Sequence, residues 1–169
     1  IDAIVHAVAA TTAPVTLDMH LTPNDTGYLE ELRQLAQASQ GKITLHDPVP
    51  YAELSQTLNR FDLGVHLLPA VNFNNLWALP NKLFDYVQAR LGVVIGPSPE
   101  MQRVVAEHGI GIVADGFSSA DLQHVLENEI TPERVLTFKN ASHAAARALS
   151  SDTQVAIWVK AIDQLMAQG

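Results

Sequence analysis

The sequence contains no cysteine. That excludes a disulfide framework, a thiolate zinc site and a cysteine nucleophile. It contains no apolar run approaching the length needed to cross a bilayer, and no signal-peptide pattern opens it. Basic residues are scarce: Lys and Arg total 10 against 18 Asp and Glu, for a net charge of −8 and a pI near 5.2. Such a balance argues against sequence-independent nucleic-acid binding, which needs a basic surface. A small anion is still admissible, because local backbone amides override global charge. Several catalytic signatures are missing too. There is no G-x-x-x-x-G-K-[ST], no G-x-G-x-x-G and no G-x-S-x-G. The seven histidines (6, 20, 46, 66, 108, 124 and 143) form no H-x-x-x-H or H-E-x-x-H pair, so no metal site is expected.

What remains is the profile of a globular chain. At 169 residues, 47% hydrophobic and with mean hydropathy +0.09, one domain with a real core is expected over 1–169. The absence of cysteine fits the cytoplasm. Asn24-Asp25-Thr26 and Asn140-Ala141-Ser142 match the glycosylation sequon, but nothing else reads as secreted. The chain opens on Ile1 and not on Met, so it is expected to be a piece of a longer protein.

Read in order, strands and helices alternate about five times and helices follow. Helical spacing of Ile1, Ile4, Val5 and Val8 opens the chain. Ala13 to Leu21 alternates like a strand, a loop covers 22–27, and a helix covers 28–39. A strand over 42–46, a helix from Pro50 to about Arg60, a strand over 63–68 and a loop over 70–79 come next. Pro99 to Glu107 reads as a helix, Ile110 to Val113 as a strand, and Ser118 as the cap of a helix over 119–128 with Asp121 completing a capping box. Thr131-Pro132 starts another helix. Val155, Trp158, Val159, Ile162, Leu165 and Met166 form an apolar stripe on the last one. Short strands separated by helices imply an α/β fold: a doubly wound, Rossmann-like parallel sheet with helices on both faces and a helical C-terminus.

The most informative stretch is Pro80–Gly96, PNKLFDYVQARLGVVIG. Asn81 is the expected N-cap, Leu83, Phe84, Val87 and Leu91 the buried face, and Lys82, Asp85 and Ala89 another face. Gly92 is expected to end the helix, before a strand Val93-Val94-Ile95 buried on both sides. A helix start bearing one lysine and one carboxylate suits a polyanion that also carries sugar hydroxyls. His46 and His66 lie in expected strands and read as structural. Phe73 and Trp77, in the loop, suit packing or ligand stacking equally.

Four segments carry a family resemblance. They are Lys42–Val49 with the following Tyr51-Ala52-Glu53-Leu54, Phe61–Pro69, Leu79–Tyr86 and Gly109–Val113. In this order and at these distances they resemble the C-terminal half of a GT-B glycosyltransferase, of the retaining "group 1" type that uses nucleotide sugars. The resemblance runs from about Ile1 to Val113. It implies a donor site for a nucleotide diphosphate sugar, used as substrate with no cofactor and no metal. Asp85 aligns with the carboxylate that binds the ribose diol. Leu79, Pro80, Asn81 and Lys82 align with the diphosphate cradle, and Asn81 serves as cap first and ligand second. The turn from His46 to Val49 would pack on the nucleobase. The family's other glutamate falls on Trp77, Arg90 replaces its glycine before the next strand, and Gly92 replaces its proline.

The resemblance also implies an N-terminal acceptor domain outside this chain, and a full-length enzyme of polysaccharide biosynthesis, cytoplasmic or peripheral at the inner face of the membrane. Without that domain the piece would be inactive alone, and exposure of the 155–166 stripe would drive homodimerisation. Two alternatives stay open. One is a non-catalytic GT-B-like module that binds a partner through the 70–79 loop. The other is a sugar-nucleotide epimerase.

Overall fold

The computed structural model describes residues 1–22 and 25–167. Pro23 and Asn24, within the expected first loop and the first sequon match, lie outside them. The elements in order are α1 (Asp2–Ala10), β1 (Leu17–His20), α2 (Thr26–Ala38), β2 (Ile43–His46), α3 (Tyr51–Leu58), β3 (Leu63–His66), α4 (Phe73–Leu76), α5 (Asn81–Gln88), β4 (Gly92–Ile95), α6 (Pro99–His108), β5 (Gly111–Val113), α7 (Ser119–Asn128), α8 (Pro132–Ala145) and α9 (Ser151–Met166). The expected alternation holds. The first strand is shorter than the alternating stretch 13–21, and the 70–79 loop contains the single turn α4. Asn72 caps that turn by accepting from the Asn75 amide.

Every strand pairing is parallel, but the strands form two ladders, β1–β2 and β3–β4–β5. Parallel strands covered on both faces are apolar throughout, and β4 shows why. Its Val94 joins Val5 and Val8 of α1, Leu32 of α2 and Leu122 and Val125 of α7 in one core. Its Val93 and Ile95 join Leu83 and Val87 of α5, Met101 and Val104 of α6 and Ala145 of α8 in another. The doubly wound, Rossmann-like arrangement with helices on both faces follows from that alternation.

Local chemistry sets the helix ends. Ser118 and Asp121 form the expected capping box on α7, and Thr131 accepts from the Arg134 amide at α8. Gly109, left-handed at φ 63°, closes α6. Pro50 does not enter the first turn of α3; it is the extended cap residue, and Tyr51 begins the helix.

The far end of α7 is tied to the turn after α1. One Glu127 oxygen accepts from the Thr12 amide at 2.8 Å, from the Thr11 and Thr12 hydroxyls and from Gln123. These bonds, the Thr12 amide foremost, pull the carboxyl down to about 2. A lowered acid contributes stability that is complete above its unfolded value of 4.5 and is lost as pH falls toward 2. Glu127→Gln is therefore expected to flatten the acid limb of a stability–pH curve within that window. An acid limb identical to wild type would refute the assignment.

Helix α9 forms as expected, with Ser150 accepting from the Thr153 amide, but it buries no residue. Val155, Ile157, Trp158, Val159, Ile162, Leu165 and Met166 are all exposed. The stripe is therefore not core of this domain. Truncation after Ser150 is expected to leave the urea midpoint unchanged at concentrations where the domain is monomeric, because within one copy the helix contributes almost no buried apolar area. A drop in midpoint comparable to a core truncation would contradict this.

Candidate functional site

The site is built around the first two turns of α5. Its buried face is Leu83 and Val87, both 0% exposed, so the helix is clamped to the sheet and its polar face points outward. Gly64 of β3 lets α5 come this close. A Cβ on Gly64 would stand 2.2 Å from Cγ of Tyr86. The Tyr86 hydroxyl donates to the Val65 carbonyl at 3.2 Å, and burial, aided by the Asp85 charge, pushes the phenol up to about 12. Tyr86 thus pins the segment that carries Lys82 and Asp85.

Both helix ends differ from the sequence reading. Asn81 is the first helical residue and makes no side-chain cap. Pro80 is the cap, with extended backbone, and its carbonyl accepts from Leu83. Proline's locked φ suits this boundary. At the other end Gly92 does not stop α5. Arg90 takes the left-handed position at φ 64°, while the Leu91 amide reaches the Tyr86 carbonyl and the Arg90 amide the Val87 carbonyl, a Schellman closure. The Arg90 guanidinium also donates to the Val87 and Gln88 carbonyls at 3.1 and 2.7 Å, which offsets the strain of a non-glycine there. Ala89, the residue that closes the helix, is buried and does not share the exposure of Lys82. Gly92 opens β4, where a Cβ would meet Phe138 at 2.8 Å and Leu63 at 2.9 Å. Its glycine is a packing requirement.

Asp85 is half-buried, and burial raises its pKa above the ordinary carboxylate value, an effect partly offset by a hydrogen bond from Tyr51. The Tyr51 hydroxyl lies 3.4 Å from the carboxylate. Lys82 is exposed one turn before Asp85. Its charge is felt by His66, the last residue of β3. Burial first and Lys82 second lower that imidazole to about 4, so it is neutral at pH 7. His66 Nε2 and the hydroxyl of Ser98, the α6 cap residue, are buried with no hydrogen-bond partner among the described residues.

Leu79, Pro80, Asn81 and Lys82 are thus contiguous with Asp85 around one helix start. Leu79 and Asn81 are exposed and Pro80 is half-buried. Val49 is half-buried, and the chain connects it to this group through Pro50 and Tyr51. His46 is held by Asp18 at 2.6 Å and stacks on His20 with ring centres 4.7 Å apart, so it is structural, as the sequence suggested. Phe73 and Trp77 lie 6.4 Å apart on the exposed side of α4, and Trp77 is 46% exposed. Glu100 pairs with Arg103 in the first turn of α6. Tyr51 is the residue that sequence reasoning missed. An aromatic residue at a helix start has no signature, and its link to Asp85 joins helices far apart in the chain.

The site is an open flank of the domain. Two surface hollows of about 280 and 320 Å³ lie beside α2, and none of these residues lines them. Among the described residues no group of three or more His, Asp or Glu side chains could hold a metal ion, and no helix is long and apolar enough to cross a membrane.

No family model matches the sequence, and no curated protein matches it. Among solved structures the chain is similar to WaaG, a glycosyltransferase involved in lipopolysaccharide biosynthesis. The TM-score is 0.59 at 15% identity, over 86% of this chain and 38% of that one. This chain therefore corresponds to well under half of that structure. The parallel ladders, the helices on both faces and this likeness together make the fold Rossmann-like and GT-B glycosyltransferase-like.

Proposed function

We propose that this domain is the donor-binding half of a GT-B glycosyltransferase of the retaining group 1 type, and that it binds a nucleotide diphosphate sugar. The observation that carries this reading is Asp85: a half-buried carboxylate, facing outward, one turn after an exposed lysine at a helix start. A carboxylate accepts two hydroxyl hydrogen bonds from a ribose diol, and the open amides of a helix N-terminus suit a diphosphate. Leu79 to Lys82 supply that start, and Val49 lies on the nucleobase side.

In the full-length protein an N-terminal domain would bring a carbohydrate or lipid-linked acceptor of polysaccharide biosynthesis. Backbone amides and basic side chains would stabilise the departing diphosphate without a metal. Such an enzyme works in the cytoplasm, free or at the inner face of the membrane. In the isolated domain the exposed α9 stripe would pair with a second copy, because so large an apolar surface favours association.

Titration of the domain with UDP, GDP and ADP, with Asp85→Ala as control, tests the reading. Saturable binding of one of them that is lost in the variant is expected. A folded domain that binds none of the three would overturn it. One observation favours a second reading, a non-catalytic module: Trp77 stands exposed beside the site and its indole has no oxygen to accept a sugar hydroxyl. Loss of transferase activity in full-length Asp85→Ala would exclude that reading.

A further inference from the structure

Among the described residues no ladder joins β1 to β3. Yet Leu17 and Met19 of β1 and Leu63 and Val65 of β3 pack against one buried cluster that includes Val5 and Val8 of α1. The two ladders therefore lie side by side over a common core. Both strands at the break are underburied. Every residue of β1 is half-buried, as are Leu63, Val65 and His66 of β3, whereas all four residues of β4 are buried. A parallel strand with neighbours on both sides and helices on both faces is buried as β4 is.

Backbone directions define the break. Along a parallel ladder, successive residues turn their amide and carbonyl to opposite sides. The Leu17 and Leu21 amides reach the Lys42 and His46 carbonyls, so Asp18 and His20 turn theirs away from β2. The Asp62 and His66 carbonyls accept from the Gly92 and Gly96 amides, so Leu63 and Val65 turn theirs away from β4. Of these outward groups the Val65 carbonyl alone has a partner among the described residues, the Tyr86 hydroxyl, and it keeps a second lone pair. Two open edges thus bound one slot. An extended segment running parallel to both fits it.

The winding of the chain shows where such a segment comes from. α1 and α2 contribute to the same core, so they cover one face. Right-handed crossovers on one face step in one direction across a sheet. α2 carries the chain from β1 outward to β2, so α1 enters β1 from the opposite side, which is the slot. α5 and α6, in the other core, step the other way, from β3 to β4 to β5. The start of α1 also lies at the matching end of the slot. The Ile1 amino group is near enough to His66, the last residue of β3, for its charge to act on that imidazole. A strand parallel to β3 would finish there.

We propose that the slot between β1 and β3 is the docking site of a β-strand supplied by the residues immediately before Ile1 in the full-length protein, and that this strand joins the two ladders into one parallel sheet. Its side chains on the α1 face are apolar, because they enter the core of Val5, Val8, Leu63 and Val65. The slot lies where the winding reverses, the place outside whose carboxyl ends open α/β sheets take their ligands. The proposal stands apart from the donor-site reading, and a failure of nucleotide binding would leave it intact.

The test uses the full-length protein. Val65→Cys is combined with a second cysteine placed, one position at a time, along the residues before Ile1; this chain has no cysteine of its own to compete. Adjacent strands bring side chains within disulfide reach, so an intramolecular disulfide is expected at every second position, the strand period. A disulfide at no position, or one that links two copies, overturns the proposal. Because Val65 faces the core, a second measurement is made on the unmutated protein. The amides of Asp18, His20, Leu63 and Val65 should exchange with solvent at least about 100-fold more slowly than in an unstructured chain. Exchange of these four at the unstructured rate overturns the proposal as well.

Discussion

Gly64→Val is expected to destabilise the domain by about 3 kcal/mol, read as a fall of more than about 1 M in the urea midpoint. The reason is contact distance. A Cβ at this position would stand 2.2 to 2.6 Å from three ring carbons of Tyr86, including Cγ at the root of the side chain. A flexible tip can swing aside, but a ring root moves only with its backbone. That backbone is α5, which is clamped by the fully buried Leu83 and Val87. Relief therefore requires lifting α5 from β3, at a cost in both hydrophobic contact and the Tyr86–Val65 hydrogen bond. The same change in a Tyr86→Ala background should cost less, with a coupling of at least about 1 kcal/mol between the two positions. An unchanged midpoint in Gly64→Val would mean that α5 does not sit where it has been described. The substitution also displaces Lys82 and Asp85, so nucleotide affinity should fall along with stability.

Asp85→Ala is expected to weaken nucleotide binding by about 10- to 150-fold, corresponding to about 1.5–3 kcal/mol for hydrogen bonds to an ionised group. Little stability should be lost with it, since among the described residues the side chain's hydrogen bond is the long contact with Tyr51. The pH dependence separates this role from a nonspecific one. Burial raises the Asp85 pKa above 3.8. Only the ionised form accepts from both hydroxyls of a diol, so affinity should weaken as pH falls through that raised value and stay flat above it. The variant should lose this limb. Isothermal titration with UDP, GDP and ADP across the acid range measures it. Equal affinities for wild type and Asp85→Ala at neutral pH would end the case for Asp85 as a diol acceptor.

Much of the fold could be read along the chain because the relevant physics is local. The capping box at Ser118 and Asp121 depends on neighbours a few residues away, and the two-sided burial of Val93-Val94-Ile95 is announced by consecutive apolar residues; each lies where it was expected. Arg90 shows the limit. Pattern alone assigns the helix stop to the nearest glycine, Gly92. The left-handed residue is an arginine that caps the helix with its own guanidinium, while Gly92 is small because Phe138 and Leu63 press on it from distant segments. Asn81 failed as a cap for a related reason. Its side-chain preference was overridden by the fixed backbone of Pro80.

The candidate site divides along the same line. The sequence by itself determined a carboxylate and a lysine on one face of a short helix that follows a parallel strand, because helical periodicity and strand composition are properties of consecutive residues. It also determined the apolar stripe of α9, but not that the stripe would lie outside the core of this domain. Tertiary structure alone decided the rest. It brought Tyr51 to Asp85, made His66 neutral by burying it near Lys82, and set α5 so close to β3 that Gly64 tolerates no side chain. These are contacts between segments far apart in sequence. Their existence depends on which helix packs against which strand, and no local spacing encodes that.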